Sequence, residues 1–435
     1  MRSIPLAIAA LLSACTPSTP DPTVPGSDTT TGDDSSANEA DLRAPAPAPT
    51  QRLAIGKGHA CELRGGGEVW CWGRNAEGQC GVEGEAQIAV PRRVMLVGVA
   101  RAVVAGARHT CAILDSGELS CWGWGRFGQL GDGRRESSSV PVLVSELRDV
   151  VDAAAGELHT CAVDTRGRVW CWGSDTLGQL GRGVPERPAS LPPSGGLRGV
   201  ESPAPSAAAP DAGTVATPRP SPEGPFAALE PAPSDAPRGG LGFASGPPSG
   251  SPTPQLVPVE GARRIATQEH WTCAIVEDGA VSCWGRDAFD HVRVPTLVEG
   301  VSRAVAVAAG RRVACALGVD GVVSCWGRGN MGQLGDGTSE DHAQARPVAE
   351  LVDVVEIGAG DERACARLAT GTVWCWGAGV LGDYYGRSSA PTPYQAHGLE
   401  GATALGVGTD GACATIADGS TWCWGGSTRL PTRIE

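Results

Sequence analysis

The sequence is poor in large flexible side chains and in motifs that carry chemistry. Its 435 residues include only 3 Met, 4 Phe and 3 Tyr, against 62 Gly and 34 Pro. That balance disfavours long helices and suits many short strands joined by turns. Positive charge is in deficit, with 35 Lys and Arg facing 48 Asp and Glu, a formal net charge of -13. Nucleic-acid surfaces need clustered Lys and Arg against phosphate, so no nucleic-acid partner is expected. The chain has no G-x-S-x-G elbow, no H-E-x-x-H and no D-x-D-x-D-G calcium loop. Its acidic residues are scattered, and no pair of them stands out as a general acid and base. The expectation is a non-enzymatic protein with no cofactor and no metal. Apart from Ile4 to Leu12, which is too short to span a bilayer as a permanent helix, no apolar run is long enough to suggest a membrane span.

At the start, Met1-Arg2, the apolar run to Leu12 and the small residues Ser13 and Ala14 have the pattern of a secretory signal. Leu12-Ser13-Ala14-Cys15 resembles the lipobox of bacterial lipoproteins. The resemblance implies a signal peptide over 1–14, cleavage before Cys15 and lipidation of its thiol. With Thr16 rather than Asp next, it implies an exported protein anchored in the cell envelope, at the outer membrane where one exists. Residues 15–50 are Pro, Thr, Ser, Asp and Ala with almost no large apolar side chain. Such a segment cannot bury enough surface to offset chain entropy, and a disordered acidic tether is expected.

The rest of the chain repeats one pattern seven times. Cysteines pair at a constant spacing of ten: Cys61 with Cys71, Cys111 with Cys121, Cys161 with Cys171, Cys273 with Cys283, Cys315 with Cys325, Cys365 with Cys375 and Cys413 with Cys423. Each second cysteine opens a Cys-Trp-Gly triplet, and a Gly lies six residues after each first one, as at Gly117. A three-residue hairpin loop with a bulge needs a left-handed residue at that Gly. In this register Cys111 faces Cys121 and Ile113 faces Leu119, so hairpin disulfides are expected in an oxidising compartment, with reduced buried thiols as the alternative. Cys80 is left over, in the Leu position of Gly-Gln-Leu-Gly, where a buried thiol is expected. A period near 50 with several short strands per unit is the mark of a propeller, and seven units make seven blades.

Successive first cysteines are 50, 50, 112, 42, 50 and 48 residues apart. The long gap contains residues 184–253, which hold 17 of the 34 prolines and are expected to form a disordered insertion. Blades 1–3 are then expected over 51–183 and blades 4–7 over 254–435. A proline-led strand such as Pro141-Val-Leu-Val144 precedes most hairpins but is missing before the first, and Pro431-Thr-Arg-Ile434 ends the chain. The expectation is that strand 431–435 completes the first blade and closes the ring.

His-Thr-Cys-Ala, Asp-Gly, then Cys-Trp-Gly-x-x-x-x-Gly-Gln-Leu-Gly resembles the repeat of the chromosome-condensation-regulator (RCC1) propellers, in the cysteine-bearing form labelled alpha-tubulin-suppressor-like. The resemblance covers about 51–183 and 254–435 and implies an all-β, seven-bladed propeller of four-stranded blades. The pattern breaks at Asp287 to Asp290, at Val380 to Asp383 and in the last unit, so one face of the ring should be irregular. The family also implies structural roles for His59, His109 and His159. The seven Cys-Trp-Gly tryptophans are read as packing between blades. Gly123 to Gly128 and Gly327 to Gly332 match G-x-G-x-x-G, but no helix and downstream acid follow, and they are read as repeat glycines. Trp124 and Trp271 fall outside the regular positions and are candidate partner-binding residues. The expected function is a lipid-anchored scaffold that presents a propeller face to an unknown protein or surface glycan. A guanine-nucleotide exchange factor and a secreted enzyme inhibitor are the family-based alternatives.

Overall fold

Every Cys-Trp-Gly hairpin forms, and each is the middle pair of a four-stranded antiparallel sheet. Blade 2 shows the pattern. Its inner strand is Ala100–Ala105, followed by His109–Leu114, Leu119–Gly123 and an outer strand Ser138–Leu143. The turn rests on Gly117, whose φ of 80° is open to glycine at no steric cost. Gly117 N donates to Leu114 O at 2.9 Å, and Ile113 pairs with Leu119 and Cys111 with Cys121, as the spacing requires. The computed structural model describes residues 52–183, 249–286, 289, 291–382, 389–426 and 428–434, all within the compact unit Ala46–Glu435. Cys15, the tether and most of the proline-rich insertion lie outside the described residues.

Seven such sheets, each with its strands in chain order, span 53–93, 100–143, 150–257, 264–297, 304–347, 354–395 and 402–434. They make an all-β, seven-bladed propeller with no α-helix among the described residues. Each central hairpin carries one disulfide between cysteines that face each other in register. In blades 1 to 3 the bonded pairs are Cys61 and Cys71, Cys111 and Cys121, and Cys161 and Cys171. In blades 4 to 7 they are Cys273 and Cys283, Cys315 and Cys325, Cys365 and Cys375, and Cys413 and Cys423. Each pair is bonded rather than present as two reduced thiols, with its Cα atoms only 4.0 to 4.1 Å apart. Between blades the core is made of buried Ala, Val, Leu and Trp: Trp122, Trp172 and Trp376 are fully buried. The Cys80 thiol is free and also buried, which pushes it up to about 12 and leaves it protonated and unreactive.

Two expectations are corrected. The C-terminal strand Thr428–Ile434 pairs with Thr421–Gly425 in blade 7, not with blade 1. Each proline-led strand is the outer strand of the hairpin before it, so Leu53–Ile55 is already the inner strand of a complete blade 1. The ring therefore closes without a shared strand. Its seam is side-chain packing of Leu53 and Ile55 near Cys413 and Cys423, and a carboxylate clasp. Glu62 Oε1 accepts from Thr415 Oγ1 at 3.2 Å and Thr421 Oγ1 at 2.7 Å, while its Oε2 pairs with Arg64 Nε at 3.1 Å. Glu62→Ala leaves both hydroxyls without their acceptor and should cost about 1–3 kcal/mol in urea unfolding. A change under about 0.5 kcal/mol would remove the clasp from the account.

The second correction concerns the insertion. Residues 250–253 are ordered: Gly250–Val257 is the outer strand of blade 3, paired with Val169–Ser174. Pro252 and Pro254 read as signs of disorder in the sequence, but an outer strand has a free edge where a missing N–H costs nothing. The segment 184–248 is thus a connection inside blade 3, between its third and outer strands. In an antiparallel meander those connections leave from the same face as the first-to-second connections; this is called the loop face below. The short hairpins such as Asp115 to Gly117 lie on the other, the hairpin face.

Candidate functional site

The repeat residues that looked like chemistry hold blades together. His59 Nε2 lies 3.0 Å from Thr110 Oγ1 of the next blade, His109 Nε2 2.8 Å from Thr160 Oγ1, and His159 Nε2 2.9 Å from Thr272 Oγ1. Thr110 gives its proton to Gln79 O at 2.8 Å, and Thr160 gives its to Gln129 O. The imidazoles bonded to them must then donate from Nε2, which fixes the tautomer. Burial keeps the rings neutral, lowering His59 to about 4 and His109 and His159 to about 3. The same glutamine carbonyls accept Trp122 Nε1 at 3.0 Å and Trp172 Nε1 at 2.9 Å. Gly-Gln-Leu-Gly therefore serves as a backbone acceptor for the next blade. Trp424 and Trp72 follow units that lack it, and their Nε1 atoms are buried without an acceptor among the described residues.

Trp271 takes the histidine position in blade 4 and is 2% exposed. Its Nε1 donates to Gly310 O of blade 5 at 2.7 Å. This contradicts the expectation of a partner-binding residue: the indole replaces the His–Thr link rather than facing solvent. Trp124 differs. It is half-buried on the loop face, edge-on to Phe127 with ring centroids 5.4 Å apart, and the Arg108 guanidinium stacks 5.1 Å from its ring. An aromatic pair with a stacked arginine is the composition enriched at binding hot spots.

The loop face also carries a charged rim around the axis that was not read from the sequence. In each repeat the two residues before the histidine position lie in the first-to-second-strand connection. They include Lys57, Arg108, Glu157, Glu269, Arg311 and Asp361. Glu269 pairs with Arg311 at 3.0 Å. Burial, joined by the Glu269 and Asp410 carboxylates, raises Asp361 to about 6 against the pull of Arg311 and Lys57. Burial raises Asp410 as well. The signal was present in the sequence as a variable pair between two repeated positions, Gly and His, and it is visible only when the seven units are aligned. Below the rim, an axial cavity of about 410 Å³ is lined mainly by aliphatic residues of the inner strands. Asp152, within it, accepts from Ile265 N of blade 4 at 2.9 Å and is raised by burial to about 6.

Models of the regulator of chromosome condensation (RCC1) repeat match residues 66–113 and 116–163, and a second such model matches 51–79, 100–129, 150–179 and 354–383. The chain carries RCC1 repeats over these residues, in a seven-bladed propeller. Among curated proteins none matches it. Among solved structures, human WBSCR16 aligns with a TM-score of 0.65 at 18% identity, over 85% of this chain and 94% of its own. Prp20p from Saccharomyces cerevisiae aligns at 0.60 and 18%, over 89% and 87%. Yeast RCC1 (Prp20), in its complex with Kap60, aligns at 0.61 and 17%, over 95% and 91%. At such identities these RCC1-type neighbours share the fold. The repeat models and the structure agree on where the units lie: the matched segments fall in blades 1, 2, 3 and 6.

Proposed function

We propose that this RCC1 propeller is a non-enzymatic protein-binding scaffold, exported and anchored to the cell envelope through Cys15, that binds its partner on the loop face. The observation that carries the reading is the contrast between the two layers of that face. The His–Thr and Trp–Gln links are buried and repeated, while Trp124, Phe127, Arg108 and the axial rim are accessible and differ from blade to blade. Variable side chains on a rigid frame are the arrangement that recognition surfaces use. Export rests on the residues from Met1 to Cys15, and the disulfides suit an oxidising compartment.

Partner binding by a propeller of this fold has precedent, since the Prp20p structure is described with its binding to Gsp1p and histones. Cross-linking on intact cells with wild-type chain and with the Trp124→Ala, Phe127→Ala double variant tests the reading. The partner recovered with the wild type should be lost with the variant at unchanged Tm. Equal recovery from both would reject the loop face. Nucleotide release from a panel of GTPases should be unchanged on adding the protein, and acceleration would replace the scaffold reading with the exchange-factor one.

A further inference from the structure

Six inner strands are followed by a glycine, and five of these glycines lie against the backbone of the next blade, as at Gly106 and Gly310. A Cβ at Gly106 would lie 2.2 Å from Gly156 O, and one at Gly310 would lie 2.1 Å from Gly360 O. The residue after four of these glycines donates across the interface: Lys57 N to Ala107 O at 3.2 Å, Ala107 N to Gly156 O at 3.2 Å, Glu157 N to Glu269 O at 3.2 Å and Arg311 N to Gly360 O at 3.1 Å. Blade 4 breaks this belt. Gln268 stands where the glycine should be, and Glu269 takes a φ of 41°, in the left-handed region. Glu269 N turns back to Gln268 Oε1 at 3.4 Å, because Gly310 O is already taken by Trp271 Nε1.

The belt thus stops between blades 4 and 5, and the left-handed turn at Glu269 sets three side chains together at the neighbouring interface of blades 3 and 4. Ligand atoms of Glu157, Glu269 and His270 all lie within 4.8 Å of one another, with His270 Nε2 3.7 Å from Glu157 Oε2. Glu269 Oε2 is held by Arg311 Nε at 3.0 Å, a bond in which Oε1 takes no part. His270 Nδ1 is buried and has no partner among the described residues. The contact of His270 with Glu157 is longer than a hydrogen bond, so the imidazole is not accounted for by local pairing.

We infer that Glu157, Glu269 and His270 bind a divalent transition-metal ion of the zinc type at the axial mouth of the loop face. An imidazole nitrogen with two carboxylate oxygens is a borderline ligand set that suits zinc, cobalt or nickel better than calcium or magnesium. Metal–ligand distances of about 2.0–2.2 Å separate tetrahedral ligands by roughly 3.4 Å, so side-chain rotation at this half-buried rim closes the set. Three protein ligands leave a position open for water or a donor group of a bound partner. Arg311 keeps its bond to Glu269 and orients that carboxylate, the part outer hydrogen bonds play at metal sites. The ion would add a side-chain link between blades 3 and 4, beside the backbone bond from Glu157 N to Glu269 O at 3.2 Å.

The test is a Co²⁺ titration of the full, chelator-stripped chain at neutral pH, read by visible absorption and competed with Zn²⁺. One saturable site is expected, displaced by Zn²⁺, and weakened at least ten-fold in Glu157→Gln and in His270→Gln. Glu362→Gln, a rim carboxylate outside the set, should bind like the wild type. Thermal unfolding gives a second readout: Zn²⁺ should raise the Tm of the wild type and of Glu362→Gln but not of the other two. If His270→Gln fails to fold, Glu157→Gln decides alone. Absence of saturable binding in the wild type, or wild-type affinity in Glu157→Gln, overturns the site.

Discussion

Lowering the pH from 7.5 to 4.5 should cost this propeller several kcal/mol of stability, chiefly through His59, His109 and His159. An unfolded imidazole takes up its proton below about 6.5. In the folded ring, burial holds these three at about 4, 3 and 3. Between those limits the unfolded chain binds more protons, so stability is full above about 6.5 and falls as the pH drops toward 4. Two pH units below 6.5 the cost is about 2.7 kcal/mol per histidine, on the order of 8 kcal/mol for three. Asp152 acts in the opposite sense. Its folded value is raised from 3.8 to about 6, so its contribution is present at low pH and lost as the pH rises through 6. At pH 4.5 it offsets roughly 2 kcal/mol, Asp361, also raised to about 6 but partly exposed, offsets at most about as much again, and the histidines win. Urea unfolding at both pH values measures the difference, and His109→Gln should reduce the slope by about one proton. A flat profile would mean that the imidazoles are not buried and neutral.

Reduction of the seven hairpin disulfides is expected to unfold the ring at moderate temperature. Each bridge closes a loop of ten residues' separation, which the chain-entropy model values at roughly 3 kcal/mol. Seven such terms exceed the usual net stability of about 5–15 kcal/mol. They are spread one per blade, from Cys61 and Cys71 in the first to Cys413 and Cys423 in the last, so no blade keeps its own brace. Thermal unfolding with and without reductant, followed by circular dichroism, should show a fall of tens of degrees. An unchanged Tm with all fourteen thiols titrated would show that blade packing alone carries the fold.

The hairpins were legible because their determinants are local. A spacing of ten with Gly at the sixth position fixes the register of Cys111 and Cys121 without reference to the rest of the molecule. The same local rule placed Cys171, Cys283, Cys325 and Cys375 opposite their partners in blades 3 to 6. What misled was anything decided between blades. Pro141 to Val144 lies between two hairpins in the sequence, and only the sheet shows that it edges the earlier one. The same ambiguity turned Pro431 to Ile434 into a closing strand for blade 1. Pro252 and Pro254 read as disorder because proline content does not separate a loop from an outer strand. Trp271 was a candidate for partner binding because it lies outside the Cys-Trp-Gly triplet, yet it replaces a histidine whose partner is on another blade. The axial rim escaped notice for a related reason: Glu157, Glu269 and His270 come from two units whose first cysteines are 112 residues apart.

The scaffold reading is tested most directly by placing a photoreactive amino acid at one position on each face of the full chain. Phe127 represents the loop face, and Ser116, on the blade 2 hairpin turn, the other. Irradiation of intact cells should give a discrete cross-linked protein from position 127 and none from 116. It should be lost when Arg108→Glu is added and the Tm is unchanged. The same adduct from both positions, or an adduct from 116 alone, would contradict binding through the loop face.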